Sequence, residues 1–383
     1  MIPLVKNTIT EENINTLINW LKTNPRLTKG EQTIAFENAW SKWLGVKYSV
    51  FVNSGSSANL AMVYATMLST KLKNNKIIVP AVSWTTTVTP TIHLGLEPIL
   101  CDCNMDNLGV DINHLEELFK MHDPSMLIIV HVLGFPCDMN KIIKLCKKYK
   151  VLLLEDSCEC VGSSIKGKKM GTYGLASSFS FYYGHHMSTI EGGMICTNDE
   201  HFYEIAKSIR SHGWDRDMSL KTQKQLRHKN NISDFRSLYT FYLPGFNLRS
   251  TDLQALLGIE QLKTIDNFCK KRWENYNLYN NSIYGTTWHP TISNSTIVSN
   301  FAYPIIHFQV EELAKALKDN GVECRPLICG SIGEQPYWIT LYGAKQILPN
   351  ATVIHNNGLY VPNNQDMIKE EIEKIVKIIN VNL

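Results

Sequence analysis

Short apolar runs alternate with amphipathic segments through the first two hundred residues. Residues 47–53, 76–80, 97–102, 126–133, 151–155 and 177–182 are runs of strand length. Residues 57–69, 114–121 and 140–149 carry apolar positions at helical spacing. This alternation predicts an α/β domain whose sheet is mostly parallel and covered by helices. After Asp199 the pattern changes. Residues 201–211 read as a helix, whereas the polar, basic stretch 215–234 has no clear period and reads as a long loop or lid. Residues 251–268 and 270–279 suggest further helices, and 303–308, 310–320 and 367–379 suggest a smaller α+β unit. The boundary is expected near residue 250, giving a large domain over 1–250 and a small one over 251–383. No internal repeat or low-complexity tract interrupts the chain.

The 383 residues are 44% hydrophobic and 19% charged, enough for one large core and a second smaller one. A net charge of +3 predicts neither nucleic-acid nor membrane binding; a basic patch around a phosphorylated ligand accounts for it equally well. Residues 1–7 show no basic segment leading into an apolar core, so no secretory signal is read and a cytoplasmic location is expected. The longest apolar run, 126–135, contains His131 and is too short to span a bilayer. Ten cysteines include the pairs Cys101/Cys103 and Cys158/Cys160, which repeat neither zinc-ribbon nor ferredoxin spacing. Reduced, mostly buried thiols and no metal site are expected.

Four segments carry candidate chemistry. Asn53-Ser54-Gly55-Ser56-Ser57-Ala58-Asn59 lies between a strand and a helix. It is either a phosphate cradle at a helix N-terminus or a plain capping turn. Trp84, just past a strand end, either stacks on a flat ring or fills the core. Asp156 follows an apolar strand and either holds a ring nitrogen protonated or caps a helix. The fourth segment, Ser178 to Met194, joins His185 and His186 with hydroxyls, Glu191 and the Gly192-Gly193 pair. It does not resemble a packing element. Zinc is the rival reading, but neighbouring residues on an extended chain point to opposite sides.

Taken together and in order, these motifs resemble the DegT/DnrJ/EryC1/StrS sugar-aminotransferase family of fold-type-I, pyridoxal-phosphate proteins. The resemblance rests on Ser54-Gly55-Ser56-Ser57-Ala58-Asn59, Val79-Pro80-Ala81, Glu155-Asp156, Ser180, Glu191-Gly192-Gly193 and Pro244-Gly245-Phe246-Asn247-Leu248-Arg249. It implies a large domain with a mostly parallel seven-stranded sheet and a smaller C-terminal α+β domain. It also implies a homodimer with a shared active site. Gly55, Ser56 and Ser57 would cradle the cofactor phosphate, and Trp84 would stack on the ring. Asp156 would pair with the pyridine nitrogen, Ser180 would bind phosphate, and Asn247 would reach the phosphate from the neighbouring subunit.

Two departures matter. Counting back from Glu191, the place of the family's imine-forming lysine holds His185, and Glu159 stands where aminotransferases usually carry glutamine. Both changes mark a side branch, the vitamin-B6-dependent 3-dehydratases of nucleotide-linked 4-keto-6-deoxy sugars. Gly184 to Glu191, His212-Gly213-Trp214 and Gly321 to Pro326 are most similar to the members acting on GDP-4-keto-6-deoxy-D-mannose. Imidazole forms no stable imine with the cofactor aldehyde, but it moves a proton near neutral pH. The resemblance therefore implies a resident pyridoxamine phosphate, loss of the C3 hydroxyl, release of ammonia, and L-glutamate restoring the amine. His185 would be the catalytic base and Glu159 a cofactor contact. Arg325, His212 and Trp214 would meet substrates, with Arg325 able to grip a carboxylate or simply to lie at the surface. Some members of the branch hold an iron–sulfur cluster on closely spaced cysteines. No cysteine lies between Cys196 and Cys269, so neither a cluster nor a reductase partner is expected. The competing readings are a sugar aminotransferase working without the lysine and a non-catalytic ligand-binding member.

Overall fold

The computed structural model describes residues 1–284, 288–293 and 295–382. Its centre is a seven-stranded sheet: β1 (Tyr48–Val52), β2 (Lys76–Pro80), β3 (Glu97–Cys101), β4 (Met126–Val130), β5 (Leu152–Asp156), β6 (Ala176–Ser180) and β7 (Gly193–Thr197). The spatial order is β1-β7-β6-β5-β4-β2-β3. Only β7 runs antiparallel to its neighbours, pairing Val52 with Gly193 on one side and Ser180 with Gly193 on the other. Strand side chains alternate between faces, and two separate cores follow from this. Ile78, Leu127, Ile129 and Leu153 pack with the helices Ile112–His122 and Met139–Tyr149. Ile77, Val79, Ile128 and Leu154 pack on the opposite side with the helix Gly55–Ser69. A third cluster at the β6–β7 end is aromatic: Phe36, Trp40, Phe51, Phe179 and Phe181.

After the helices Asp252–Leu262 and Ile265–Ser282, a three-stranded antiparallel sheet forms from β8 (Tyr303–Ile306), β9 (Arg325–Pro326) and β10 (Gly358–Val361), in the order β8-β10-β9. The helices Val310–Asp319 and Lys369–Val381 pack together beside it. Its apolar residues Ile305, Leu359 and Val361 join the same core as β2 and β4. The helix Asp252–Leu262 packs on Glu31–Leu44, which lies near the chain's start.

Four differences from the sequence pattern have local causes. The 126–133 run stops at Val130, because Leu133 takes φ 51° inside a tight turn. The 251–268 helix breaks at Lys263–Thr264. The 215–234 stretch is largely helical, with Leu220–Lys229 followed by Asp234–Ser237; the first of these buries no residue, so it leaves no hydrophobic period. The helices Glu11–Leu21, Glu31–Leu44, Thr85–His93, Pro336–Tyr342 and Pro349–Asn357, and strands β7, β9 and β10, are additions to the pattern. All ten cysteines are free thiols. No helix among the described residues is long and apolar enough to cross a membrane.

Candidate active site

A cavity of about 710 Å³ opens at the carboxyl ends of β4, β5 and β6 and extends to β9 and β10. Open α/β sheets place ligands at this edge. At its floor, β5 delivers two adjacent carboxylates to opposite faces. Glu155, fully buried, accepts from the backbone N–H groups of Gly171, Tyr173 and Gly174 at 2.6–2.9 Å and pins that loop. Asp156 faces the cavity. Its Oδ2 accepts from Asn59 Nδ2 at 2.8 Å and Thr87 Oγ1 at 2.7 Å, and Oδ1 accepts only a longer bond, 3.2 Å, from Cys158 N–H. Asn59 is itself fixed by Ser178, whose Oγ donates to its Oδ1 at 2.5 Å. The carboxylate is thus aimed by two helices and a strand, with Oδ1 the less engaged oxygen. It faces the cavity rather than capping a helix.

The helix Gly55–Ser69 begins at the cavity wall, so its N-terminal N–H groups and partial positive charge are available to an anion. Gly55 is required by close approach: a Cβ there would lie 2.5 Å from Ser180 Cβ and 2.9 Å from its Oγ. Ser56 and Ser180 line the cavity. Ser57 does not; its N–H and hydroxyl turn back to Ser54, each at 3.0 Å, so this residue serves the capping turn. Trp84 lines the cavity and is 55% exposed, which sets aside the core reading. Gly193 has a packing reason too, since a Cβ there would meet Ser54 O at 2.2 Å.

His185 lines the cavity and its ring lies 5.2 Å from that of Phe301. Nδ1 is buried and has no hydrogen-bond partner. Burial pulls the imidazole down to about 4; Asp156 opposes this and Arg272 adds to it. It is therefore neutral at physiological pH. His186 turns away, fully buried, with Nε2 3.0 Å from Ser299 O. The two histidines do not converge, and among the described residues no group of three or more His, Cys, Asp or Glu is placed to hold a metal ion. Glu159 accepts from Leu133 N–H at 2.7 Å, yet burial drives its carboxyl up to about 8, with Asp156 adding to the rise. It holds a proton at neutral pH and can donate.

Arg325 lines the far wall, half-exposed, with Nη2 2.5 Å from Glu323 Oε1 and Nη1 donating to Cys324 O at 3.0 Å. Glu323 Oε2 in turn accepts from Leu4 N–H at 2.9 Å, and Leu4 and Val5 form part of the wall. Three expected residues are not brought to this cavity within one chain. Asn247 accepts from Arg249 Nε at 3.0 Å on a bridge to Ser211. His212 and Trp214 form an aromatic patch with Phe241 and Arg216. Asn59 was quoted from sequence only as the end of a motif, without a role, and Thr87, Leu4, Val5, Phe301 and Tyr360 were not singled out. Asn59 lies one turn after Gly55, a findable signal; the last four come from distant segments with no local signature.

The cavity fits a flat, phosphorylated pyridine. It offers an anion cradle at Gly55, an exposed indole, a fixed carboxylate, and an imidazole with an orphaned nitrogen. Comparison with known proteins agrees. The chain is 32% identical over 388 residues to GDP-4-keto-6-deoxy-D-mannose 3-dehydratase of Yersinia pseudotuberculosis, covering 98% of each. It superposes on the Escherichia coli GDP-4-keto-6-deoxy-D-mannose-3-dehydratase with bound hydrated pyridoxal phosphate (PLP) at a TM-score of 0.89, with 31% identity and 99% of both chains covered. A structure of such a dehydratase with a trapped PLP–glutamate geminal diamine gives 0.87 at 30% identity, covering 99% of this chain and 100% of that one. Residues 7–380 match the model of the DegT/DnrJ/EryC1/StrS aminotransferase family, and the chain belongs to that family.

Proposed function

We propose that this protein is a vitamin-B6-dependent 3-dehydratase of a nucleotide-linked 4-keto-6-deoxyhexose, with GDP-4-keto-6-deoxy-D-mannose the first choice. L-glutamate regenerates the amine form of the cofactor. The observation that carries the reading is His185: a neutral imidazole occupies the wall of a cavity that, among the described residues, is lined by no lysine. The names of the most similar relatives and the cofactor and glutamate adducts in their structures support it.

When bound, pyridoxamine phosphate would supply an amine for the sugar ketone and a conjugated ring as a source of the two electrons that the loss of the C3 oxygen requires. The helix start at Gly55, Ser56 and the Ser180 hydroxyl would hold its phosphate, and Trp84 would stack on its ring. Asp156 would keep the ring nitrogen protonated. The protonated Glu159 would donate to the cofactor, filling the place of an amide. His185 would take a proton and return it to the departing C3 oxygen. Arg325 meets the carboxylate of glutamate. A second copy of the chain completes a homodimer and brings Asn247, His212 and Trp214 to the cavity. The reading includes a cytoplasmic enzyme divided near residue 250, free of nucleic acid, membrane, metal and reductase partners.

The test is to incubate the protein with PLP, L-glutamate and GDP-4-keto-6-deoxy-D-mannose and follow sugar mass and ammonia beside His185→Lys. Loss of the C3 oxygen with ammonia release, absent in the variant, is expected. An amino group retained on the sugar would make the protein an aminotransferase instead.

A further inference from the structure

Arg272, on the helix Ile265–Ser282, is 2% exposed and is bonded only to neutral acceptors. Nη1 donates to Asn300 O at 3.4 Å, to Phe301 O at 3.0 Å and to Asn363 O; Nη2 reaches Gln365 Oε1 at 3.5 Å. Nε has no partner. The nearby acid, Asp366, accepts from Gln365 Nε2 instead. A buried guanidinium without a paired carboxylate is costly, and such a cost is sustained where the charge serves something.

What it fastens is the segment 299–301, which touches both histidines. Ser299 O meets His186 Nε2, and the Phe301 ring lies against His185 at 5.2 Å and His186 at 6.5 Å. The same segment is clamped from the other side by Leu133, whose carbonyl accepts from Phe301 N–H at 2.9 Å and Asn300 Nδ2 at 2.7 Å. Leu133 N–H in turn holds Glu159. We propose that Arg272 is a positioning residue for His185: it fixes the 300–301 backbone that seats Phe301 on the imidazole, and it places a buried cation behind that wall.

The charged and titratable groups around His185 allow this. Burial disfavours the imidazolium most and Arg272 adds to this, whereas Asp156 and a hydrogen bond to the Cys158 backbone favour it. Cys158 is a high-pKa, neutral thiol and Glu159 is protonated at neutral pH. His186 is neutral, and Arg325 is offset by Glu323. Arg272 is thus the fixed cation opposing Asp156.

The inference rests on His185 as the proton-transfer group, but its test needs no turnover. The full-length chain, loaded with pyridoxamine phosphate and carrying isotope-labelled histidine, is titrated by NMR, with His185→Gln assigning the signal. The His185 midpoint is expected below the ordinary imidazole range in the wild type. It should rise by about one pH unit in Arg272→Gln and stay low in Arg272→Lys, which keeps the charge without the fork. An unchanged midpoint in Arg272→Gln, or an equal rise in Arg272→Lys, overturns the proposal. Should Arg272→Gln not fold, a wild-type midpoint at or above the ordinary imidazole value overturns it as well.

Discussion

Asn59 donates its side-chain N–H to Asp156 Oδ2 at 2.8 Å, linking the helix of the anion cradle to the strand that carries the carboxylate. One residue thereby sets the position of two proposed cofactor contacts. Asn59→Ala leaves Asp156 with the Thr87 hydroxyl and strips Ser178 of its acceptor. A lost buried hydrogen bond to a charged group costs about 1.5–3 kcal/mol, so PLP affinity should fall by roughly 10–100-fold. Absorbance titration of the apo-protein checks this; unchanged affinity would show that Asp156 is aimed without Asn59.

Gly55→Ala places a methyl 2.5 Å from Ser180 Cβ and 3.2 Å from Cys158 Sγ. Neither neighbour is the far end of a flexible side chain. Overpacking of this kind costs about 1–3 kcal/mol, and the shift falls on the phosphate cradle. A lowered melting temperature together with faster cofactor loss on dialysis is expected. A stable variant that keeps its cofactor would place the phosphate elsewhere.

Glu159 makes a pH-dependent contribution of unusual sign. Burial raises its carboxyl from 4.5 to about 8, so the folded chain holds a proton that the unfolded chain has released. Its stabilisation is therefore greatest at low pH and is lost as pH rises through that window, at up to about 1.4 kcal/mol per pH unit. His185 and His186 act oppositely, but only below about 6.5. His131 slopes the same way as Glu159: burial alone would lower it, but Cys137 and Glu155 carry it to about 10. The discriminating quantity is the difference between proteins. Denaturant titrations from pH 6.5 to 8 should show a shallower decline for Glu159→Gln than for the wild type, and equal slopes would sink the assignment.

Five of the six parallel strands were legible as short, mostly apolar runs, and β6, Ala-Ser-Ser-Phe-Ser, through the alternation of Phe179 and Phe181 with serines. β7 was not, because Gly193 opens it within a motif that drew attention to chemistry, and its neighbours Met194 and Cys196 pack into the aromatic cluster. The helix Thr85–His93 was hidden by five threonines and Pro90. In the site, Asp156, His185 and Glu159 were visible as polar residues at strand ends or in an odd motif. Leu4, Phe301 and Tyr360 were not. They are apolar or aromatic residues whose part in the cavity arises only from the packing of distant segments, for which single-sequence periodicity carries no signal.

The tie between Leu4 and Glu323 spans nearly the whole chain. Ile2 also pairs with Val322, so the first residues are seated by the strand edge that leads to Arg325. During synthesis the large sheet has all its strands once Thr197 has emerged. The cavity wall has to wait for residue 360. A growing chain that has already folded its sheet thus holds an open, unfinished pocket whose amino-terminal wall has nothing yet to seat it.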